Sequence, residues 1–266
     1  MEPSPFDYDR DRPLEMKERS VRQKDGAAVR DISFRGPAHA VIAAYLVTPE
    51  ARSPGPGVLA VHPGPGDRSF FLDEAYRMAA SGITSLLVEA PWAEGERWGR
   101  AMGEPEHDRA EFTGITTDLR RAIDVLISRP EVDPSRLGFL GLSFGALFGG
   151  LLAGSDRQMT HYALLSGVGS FTDVATLNLP QLRGSKLDAY RDALSSLDPA
   201  RFVGQAAPAH LLFIYGTQDP FGREKLASYA GAGSEPKEIK AFDAGHYLNA
   251  EARSYAEEWL VGGLSG

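Results

Sequence analysis

The stretch Leu137-Gly138-Phe139-Leu140-Gly141-Leu142-Ser143-Phe144-Gly145-Ala146-Leu147-Phe148 decides how this chain is read. The apolar run over 137–142 predicts a buried strand, the run from Phe144 to Ala153 predicts a helix, and one serine stands between them. The turn at Ser143 is so sharp that side chains two residues before and two after it would collide, and both of those positions are glycine. A serine held on such a turn presents its hydroxyl above the carboxyl end of a sheet, where a nucleophile is needed. Gly-x-Ser-x-Gly alone is a weak signal in a chain with 29 glycines, so its meaning rests on what surrounds it.

Two further strand ends supply that context. The apolar run ending at Tyr215 leads into Gly216-Thr217-Gln218-Asp219, and Glu238–Phe242 leads into Asp243-Ala244-Gly245-His246. Serine, then an acid, then histidine, each just past a strand, is the chain order of one nucleophile–base–orienter set. Ser143 is therefore the candidate nucleophile, His246 the base and Asp219 the orienting acid. Asp219 ranks above Asp243 because its strand is expected beside the nucleophile strand, whereas Asp243 lies three residues from His246 and shapes that turn. Among the six histidines, His39, His161 and His210 stand at strand entrances, on the rim opposite the chemistry, and are read as structural.

The remaining pattern is that of an α/β chain. Val29–Phe34 and Val41–Val47 alternate like antiparallel strands around the turn Arg35-Gly36-Pro37. After Pro54, short apolar runs alternate with amphipathic segments, as parallel strands buried on both faces require. The runs are Val58–Val61, Thr84–Val88, Leu137–Leu142, Tyr162–Leu165, Leu211–Tyr215 and Glu238–Phe242. Helices are expected over 72–81, 112–128, 144–153, 223–230 and 249–261. The reading is a single domain over 1–266, with an eight-stranded, mostly parallel sheet and helices on both faces. Residues 1–28 form an N-terminal arm, and the segments 91–110 and 167–207 are pocket-forming insertions at strand ends, where α/β sheets bind ligands.

An oxyanion needs amide donors. Phe144, at the start of the helix after the serine, offers one. The loop His62-Pro63-Gly64-Pro65-Gly66-Asp67 offers the other, and because proline has no N–H the donor there is Gly64, with Gly66 behind it. His62 is expected to fix this loop or to touch substrate, with Glu89 a partner for it or for an arginine. Trp92, Trp98 and His107 in the charged loop 91–109 are candidate substrate contacts.

Composition narrows the function classes. A net charge of −8 and the absence of any Lys/Arg-rich stripe disfavour nucleic acid. No apolar stretch reaches a membrane span, and the acidic N-terminus lacks the apolar core of a secretory signal, so a cytoplasmic protein is expected. With no cysteine there is neither a thiolate metal site nor a cysteine nucleophile. A small-molecule acyl substrate is the expected partner, and self-association into a homo-oligomer stays open.

On these residues the chain resembles the α/β-hydrolase superfamily, and most closely its dienelactone hydrolase-like and prolyl oligopeptidase (acyl-peptidase)-like serine esterases. Leu46-Val47-Thr48-Pro49, Asp118–Asp124 and Val132–Gly138 add to the match, which runs over about residues 30–262. The resemblance implies the α/β-hydrolase fold and serine hydrolase chemistry on a carboxylic ester or thioester, with no metal and no organic cofactor. A peptidase, an amidase or an acyltransferase would use the same three residues, and a noncatalytic binding protein could keep the scaffold. Dienelactone hydrolase itself uses cysteine, so that activity is not implied. The residues ahead of Val29 are too few for the N-terminal propeller of the oligopeptidases.

Overall fold

In a computed structural model of the protein, which describes residues 4–50 and 54–266, one sheet runs through the molecule. Among the described residues its strands are β1 (Lys17–Lys24), β2 (Ala27–Phe34), β3 (Ile42–Pro49), β4 (Gly55–Val61), β5 (Thr84–Val88), β6 (Val132–Leu142), β7 (His161–Leu165), β8 (His210–Gly216) and β9 (Lys237–Phe242). Their order across the sheet is β1-β2-β3-β5-β4-β6-β7-β8-β9. The first three pair antiparallel, β3 pairs antiparallel with β5, and every pair from β5 to β9 is parallel. This is the α/β-hydrolase fold expected from the sequence, with nine strands rather than eight. The added strand is β1, all of whose residues are exposed and of which only Val21 is apolar, so no alternation marks it.

Burial follows the two-faced logic of a parallel sheet. In β4 and β5 every residue is buried, because helices cover both sides. One face packs under α1 (Leu72–Ala80) and α9 (Ala250–Leu264), through Ala75, Met78, Ala256 and Leu260. The other packs under α3 (Pro105–Ile127) and α4 (Phe144–Ser155), through Ile115, Leu126, Phe148 and Leu151. The helix α8 (Arg223–Ala232) joins this second layer through Leu226 and Tyr229.

Both segments expected as insertions are largely helical. The stretch 91–109 is not one long loop: Pro91–Glu94 forms a 3-10 turn, α2 covers Glu96–Ala101, and α3 begins at Pro105, seven residues before the expected start. Pro91 and Pro105 each open their helix, where a missing N–H costs nothing. From Pro105 to Glu111 the only aliphatic residue is Ala110, so the apolar period starts at Phe112. That first turn is tied down by Asp108, which is buried and accepts from the Gly103 amide (2.8 Å) and the Tyr190 hydroxyl (2.9 Å). Between Gly167 and Ala207 lie α5 (Phe171–Asn178), α6 (Ser185–Leu194) and α7 (Pro199–Val203). Only α6 coincides with a stretch whose sequence reads as weakly helical, around Lys186–Leu197.

The N-terminal arm is not a solvated tail where it is described; residues 1–3 lie outside the described residues. Phe6 is fully buried with its ring 5.6 Å from that of Phe202, Tyr8 donates to Asp124 at 2.6 Å, and Arg120 of α3 donates to the Phe6 carbonyl. These contacts lay the arm across the outside of α3. Removing the Phe6 ring deletes a buried aromatic at the junction of arm and helix layer. Phe6→Ala is expected to lower unfolding free energy by about 3 kcal/mol, read from urea denaturation. A loss below about 0.5 kcal/mol, the range of inert surface changes, would mean that the arm is not docked in solution.

Candidate active site

Ser143 sits at the tip of the β6–α4 turn with φ 55° and ψ −116°, a backbone strain in a non-glycine residue that marks a constrained position. The flanking glycines show why the chain can do this. A Cβ on Gly145 would lie 2.1 Å from the carbonyl oxygen of Val61, and one on Gly141 would lie 2.6 Å from the Gly145 backbone. The helix N-terminus is thus pressed onto the ends of β4 and β6, and no side chain fits between. Ser143 donates its amide to the Leu165 carbonyl at 2.8 Å and accepts from Leu147 at 3.0 Å, so its backbone is fixed from both sides.

The three residues picked out by chain order meet here. Nδ1 of His246 is 2.7 Å from Oδ2 of Asp219, and its Nε2 is 2.8 Å from Oγ of Ser143. With the Asp219 carboxylate accepting at Nδ1–H, Nε2 presents its lone pair to the serine hydroxyl. Asp219 is buried, and its other oxygen accepts from the Phe221 amide at 3.0 Å, which fixes the carboxylate plane. One expectation needs correction: the strand delivering Asp219 is not beside β6. The strand β7 lies between β6 and β8, and the imidazole of His246 spans the gap. Asp243 is exposed and accepts from Gln218 (2.6 Å) and Thr217 (3.4 Å), which braces the loop after β9.

The loop after β4 closes the other side. Gly64 lines the cleft with Ser143 and Phe144, and a Cβ on it would lie 2.9 Å from the Phe144 ring. Phe144 opens α4, and the first amides of a helix have no partner within it. His62 does not reach the cleft. It is buried beneath the loop, where Ala90 donates to Nε2 at 3.1 Å, so the proton sits on Nδ1 and points to the Pro63 carbonyl at 2.8 Å. The indole N–H of Trp92 donates to that carbonyl at 3.1 Å. Glu89 turns to Arg68 (3.2 Å) rather than to His62.

Two adjoining voids border these residues. A cleft of about 200 Å³ holds Ser143 and His246 and is walled by Phe221, Leu177 and Tyr247. A second cavity of about 310 Å³ adjoins it, with Gly64, Pro65, Phe144, Val174 and Asn178 common to both. Trp92 and Trp98 line the larger one, as does α5 through Phe171, Val174, Ala175 and Asn178. His107 lines neither: it is half exposed on the first turn of α3, beside Asp108 at 3.1 Å. Sequence reasoning passed over Phe221 and Tyr247, although they lie two and one residues from Asp219 and His246. It also passed over the 171/174/175/178 stripe, whose spacing is that of one helix face.

The comparisons with known proteins agree with this fold. No family model matches the sequence. An uncharacterized protein of Mycobacterium tuberculosis strain H37Rv is 30% identical over 186 residues, covering 69% of this chain and 59% of its own length. A putative hydrolase of Bacillus subtilis, YtaP, is 25% identical over 284 aligned positions and covers 94% of each chain. The chain spans 59% of the length of the mycobacterial relative it matches. Among solved structures, an acetyl xylan esterase from Paenibacillus sp. R4 superposes with a TM-score of 0.79 at 18% identity, over 96% of this chain and 90% of that one. An S-formylglutathione hydrolase from Agrobacterium tumefaciens does so with a TM-score of 0.72 at 14% identity, over 93% and 99%. The fold is that of the α/β-hydrolase superfamily.

Burial pushes His62 down to about 4 from an ordinary value of 6.5, against the raising effect of its bond to Pro63. The folded pKa lies below the unfolded one, so the stability His62 lends is complete above pH 6.5 and is lost as pH falls toward 4. Thermal melts between pH 8 and 4 should therefore show a shallower acid loss in His62→Asn than in the parent. His161, which burial also holds at about 4, is common to both proteins and cancels in the difference. Parallel acid limbs would show that His62 is not held neutral.

Proposed function

We propose that this protein is a serine hydrolase that cleaves carboxylic esters, or thioesters, through an acyl-enzyme on Ser143. The observation that carries the reading is the continuous hydrogen-bonded relay from Asp219 through His246 to Ser143, at 2.7 and 2.8 Å, ending on a serine held in strained backbone. Residues so distant in sequence meet in this order for proton transfer to and from the serine oxygen. The esterases among the solved neighbours, a glucuronoyl esterase from Solibacter usitatus included, support the same class.

The chemistry follows from the geometry. As Oγ of Ser143 attacks the carbonyl carbon, its proton passes to Nε2 of His246, and Asp219 stabilises the imidazolium and holds its ring in plane. Negative charge builds on the carbonyl oxygen, for which the amides of Phe144 and Gly64 are the donors. Nε2 then protonates the departing alcohol oxygen, and the acyl group stays on Oγ. Water enters, gives a proton to Nε2, and releases the acid as Oγ recovers its proton. An acyltransferase would follow the same path with an alcohol in place of water. A noncatalytic binding protein would have no use for the strain at Ser143.

Ser143→Ala is expected to lose ester turnover by several orders of magnitude while keeping its melting transition, and to lose labelling by a fluorophosphonate. Asp219→Asn should cost up to roughly 10⁴ in rate, as amidation of a serine protease's triad aspartate does, whereas Asp243→Asn should cost little. Labelling that persists without Ser143, or the reverse order of the two aspartate variants, would remove the assignment.

Esters should also be cleaved much faster than amides. An amide nitrogen leaves only when protonated, and its chain must be held on both sides of the scissile bond by remote contacts. The cleft walls here come from α4, α5 and the loops after β4, β8 and β9, with no accessory domain among the described residues. Specificity constants for a matched ester and anilide give the comparison, and an anilide equal to its ester would move the protein to the amidase side.

A further inference from the structure

We propose that the larger cavity is the acyl subsite and that it selects esters of aromatic carboxylic acids, an inference that rests on the serine esterase reading above.

Direction comes first. In the tetrahedral intermediate the carbonyl carbon carries Oγ of Ser143, the oxyanion, the alcohol oxygen and the acyl substituent. The alcohol oxygen must receive its proton from Nε2 of His246, so it lies on the imidazole side, where the cleft is walled by Pro220, Phe221 and Tyr247. The oxyanion faces the Gly64 and Phe144 amides. The acyl substituent is left with the side of the cleft bordered by Gly64, Pro65, Phe144, Val174 and Asn178, the residues shared with the cavity of about 310 Å³. Neither Ser143 nor His246 lines this cavity, and neither do Pro220, Phe221 and Tyr247, which wall the imidazole side of the cleft.

Shape and polarity come next. A cavity of roughly 150 Å³ accommodates benzene. Twice that volume takes a two-ring group, while an acetyl group would leave most of it unfilled. Six aromatic side chains line it: Trp92, Trp98, Phe112, Phe144, Phe171 and Tyr190. Trp92 lies stacked against Phe144 and Phe148, with ring centroids 5.3 Å apart in each pair, and Phe112 stacks on Phe171 at 4.3 Å, so these rings are pre-set and not free to collapse. The Trp92 N–H is taken by Pro63 and the Tyr190 O–H by Asp108, so both residues turn their apolar parts to the cavity. Among the described side chains that line it, none is charged. Planar apolar walls of this kind favour a ring over a polar or acidic chain.

The reaction balances as for any ester. Oγ bonds to the aroyl carbon as the alcohol leaves with the serine proton, and water then releases the aromatic acid and restores the hydroxyl.

The test uses 4-nitrophenyl acetate, benzoate and 2-naphthoate, each specificity constant being divided by that ester's own hydroxide rate to remove intrinsic reactivity. The normalised constant should rise at least tenfold from acetate to 2-naphthoate. Moving the naphthyl group to the alcohol, as 2-naphthyl acetate against phenyl acetate, should give no such rise. Val174→Trp, which adds bulk where the cleft and the cavity adjoin, should cut the naphthoate-to-acetate ratio tenfold or more, with fluorophosphonate labelling of Ser143 as the check on folding. A flat or falling acyl series, or an equal gain from a naphthyl alcohol, overturns the acyl subsite and leaves the esterase standing. Absence of turnover for every ester together with absence of labelling overturns both.

Discussion

The site depends on how closely the start of α4 approaches the sheet. Gly145 lies against the Val61 carbonyl and Gly141 against Gly145, at distances that no Cβ could share. That contact brings the helix N-terminus down onto the ends of β4 and β6, and it forces Ser143 into its left-handed conformation. The other residues of the candidate site are placed relative to that turn. His246 arrives from two strands beyond β7, and Asp219 from the strand between them, and both are held by hydrogen bonds rather than by the strain that holds the serine. The turn is therefore the rigid datum, and the relay is the adjustable part.

A second, less obvious support lies under the loop at 62–67. His62 joins the Pro63 carbonyl to the Ala90 amide, and Trp92 donates to the same carbonyl. One neutral imidazole thus couples the loop carrying the Gly64 amide to the turn that begins the aromatic cavity. The electrostatics fit the arrangement, since burial keeps the ring uncharged and both of its nitrogens are used. A charge at that position would disturb the Gly64 loop and the wall of the aromatic cavity together, although His62 lines neither void.

The parts legible in the sequence share a physical cause. Ser143 and Asp219 follow strands whose apolar runs are unmistakable, because parallel strands buried on both faces tolerate little else, whereas His246 follows the half-exposed edge strand β9 and stands out by its place in chain order. Chain order did the rest. What escaped was structure held by long-range contacts rather than by local pattern. The strand β1 pairs only with β2 and buries nothing, so its sequence Lys-Glu-Arg-Ser-Val-Arg-Gln-Lys carries no alternation. The first turn of α3 depends on a buried carboxylate at Asp108 and a tyrosine 82 residues later. His107 drew notice only for being a histidine in a charged segment, and it faces away from the site. The 171–178 stripe was readable in principle, but the glycines and polar residues around it masked a two-turn helix.

The edge made by β1 has a consequence for how the molecule meets others of its kind. An outer strand offers unpaired amides and carbonyls to any passing strand, and soluble proteins guard against this with charge and irregularity. Here Lys17, Glu18, Arg19, Arg22 and Lys24 stand along eight exposed residues, and the register with β2 slips between Glu18 and Ser20. A strand arriving there would meet charged side chains above and below and a backbone out of step with its own. At the opposite margin β9 carries Lys237, Glu238 and Lys240, with Glu238 bonded to Tyr255 of the last helix. Charge thus lines both margins of the sheet, where an incoming strand would have to pair.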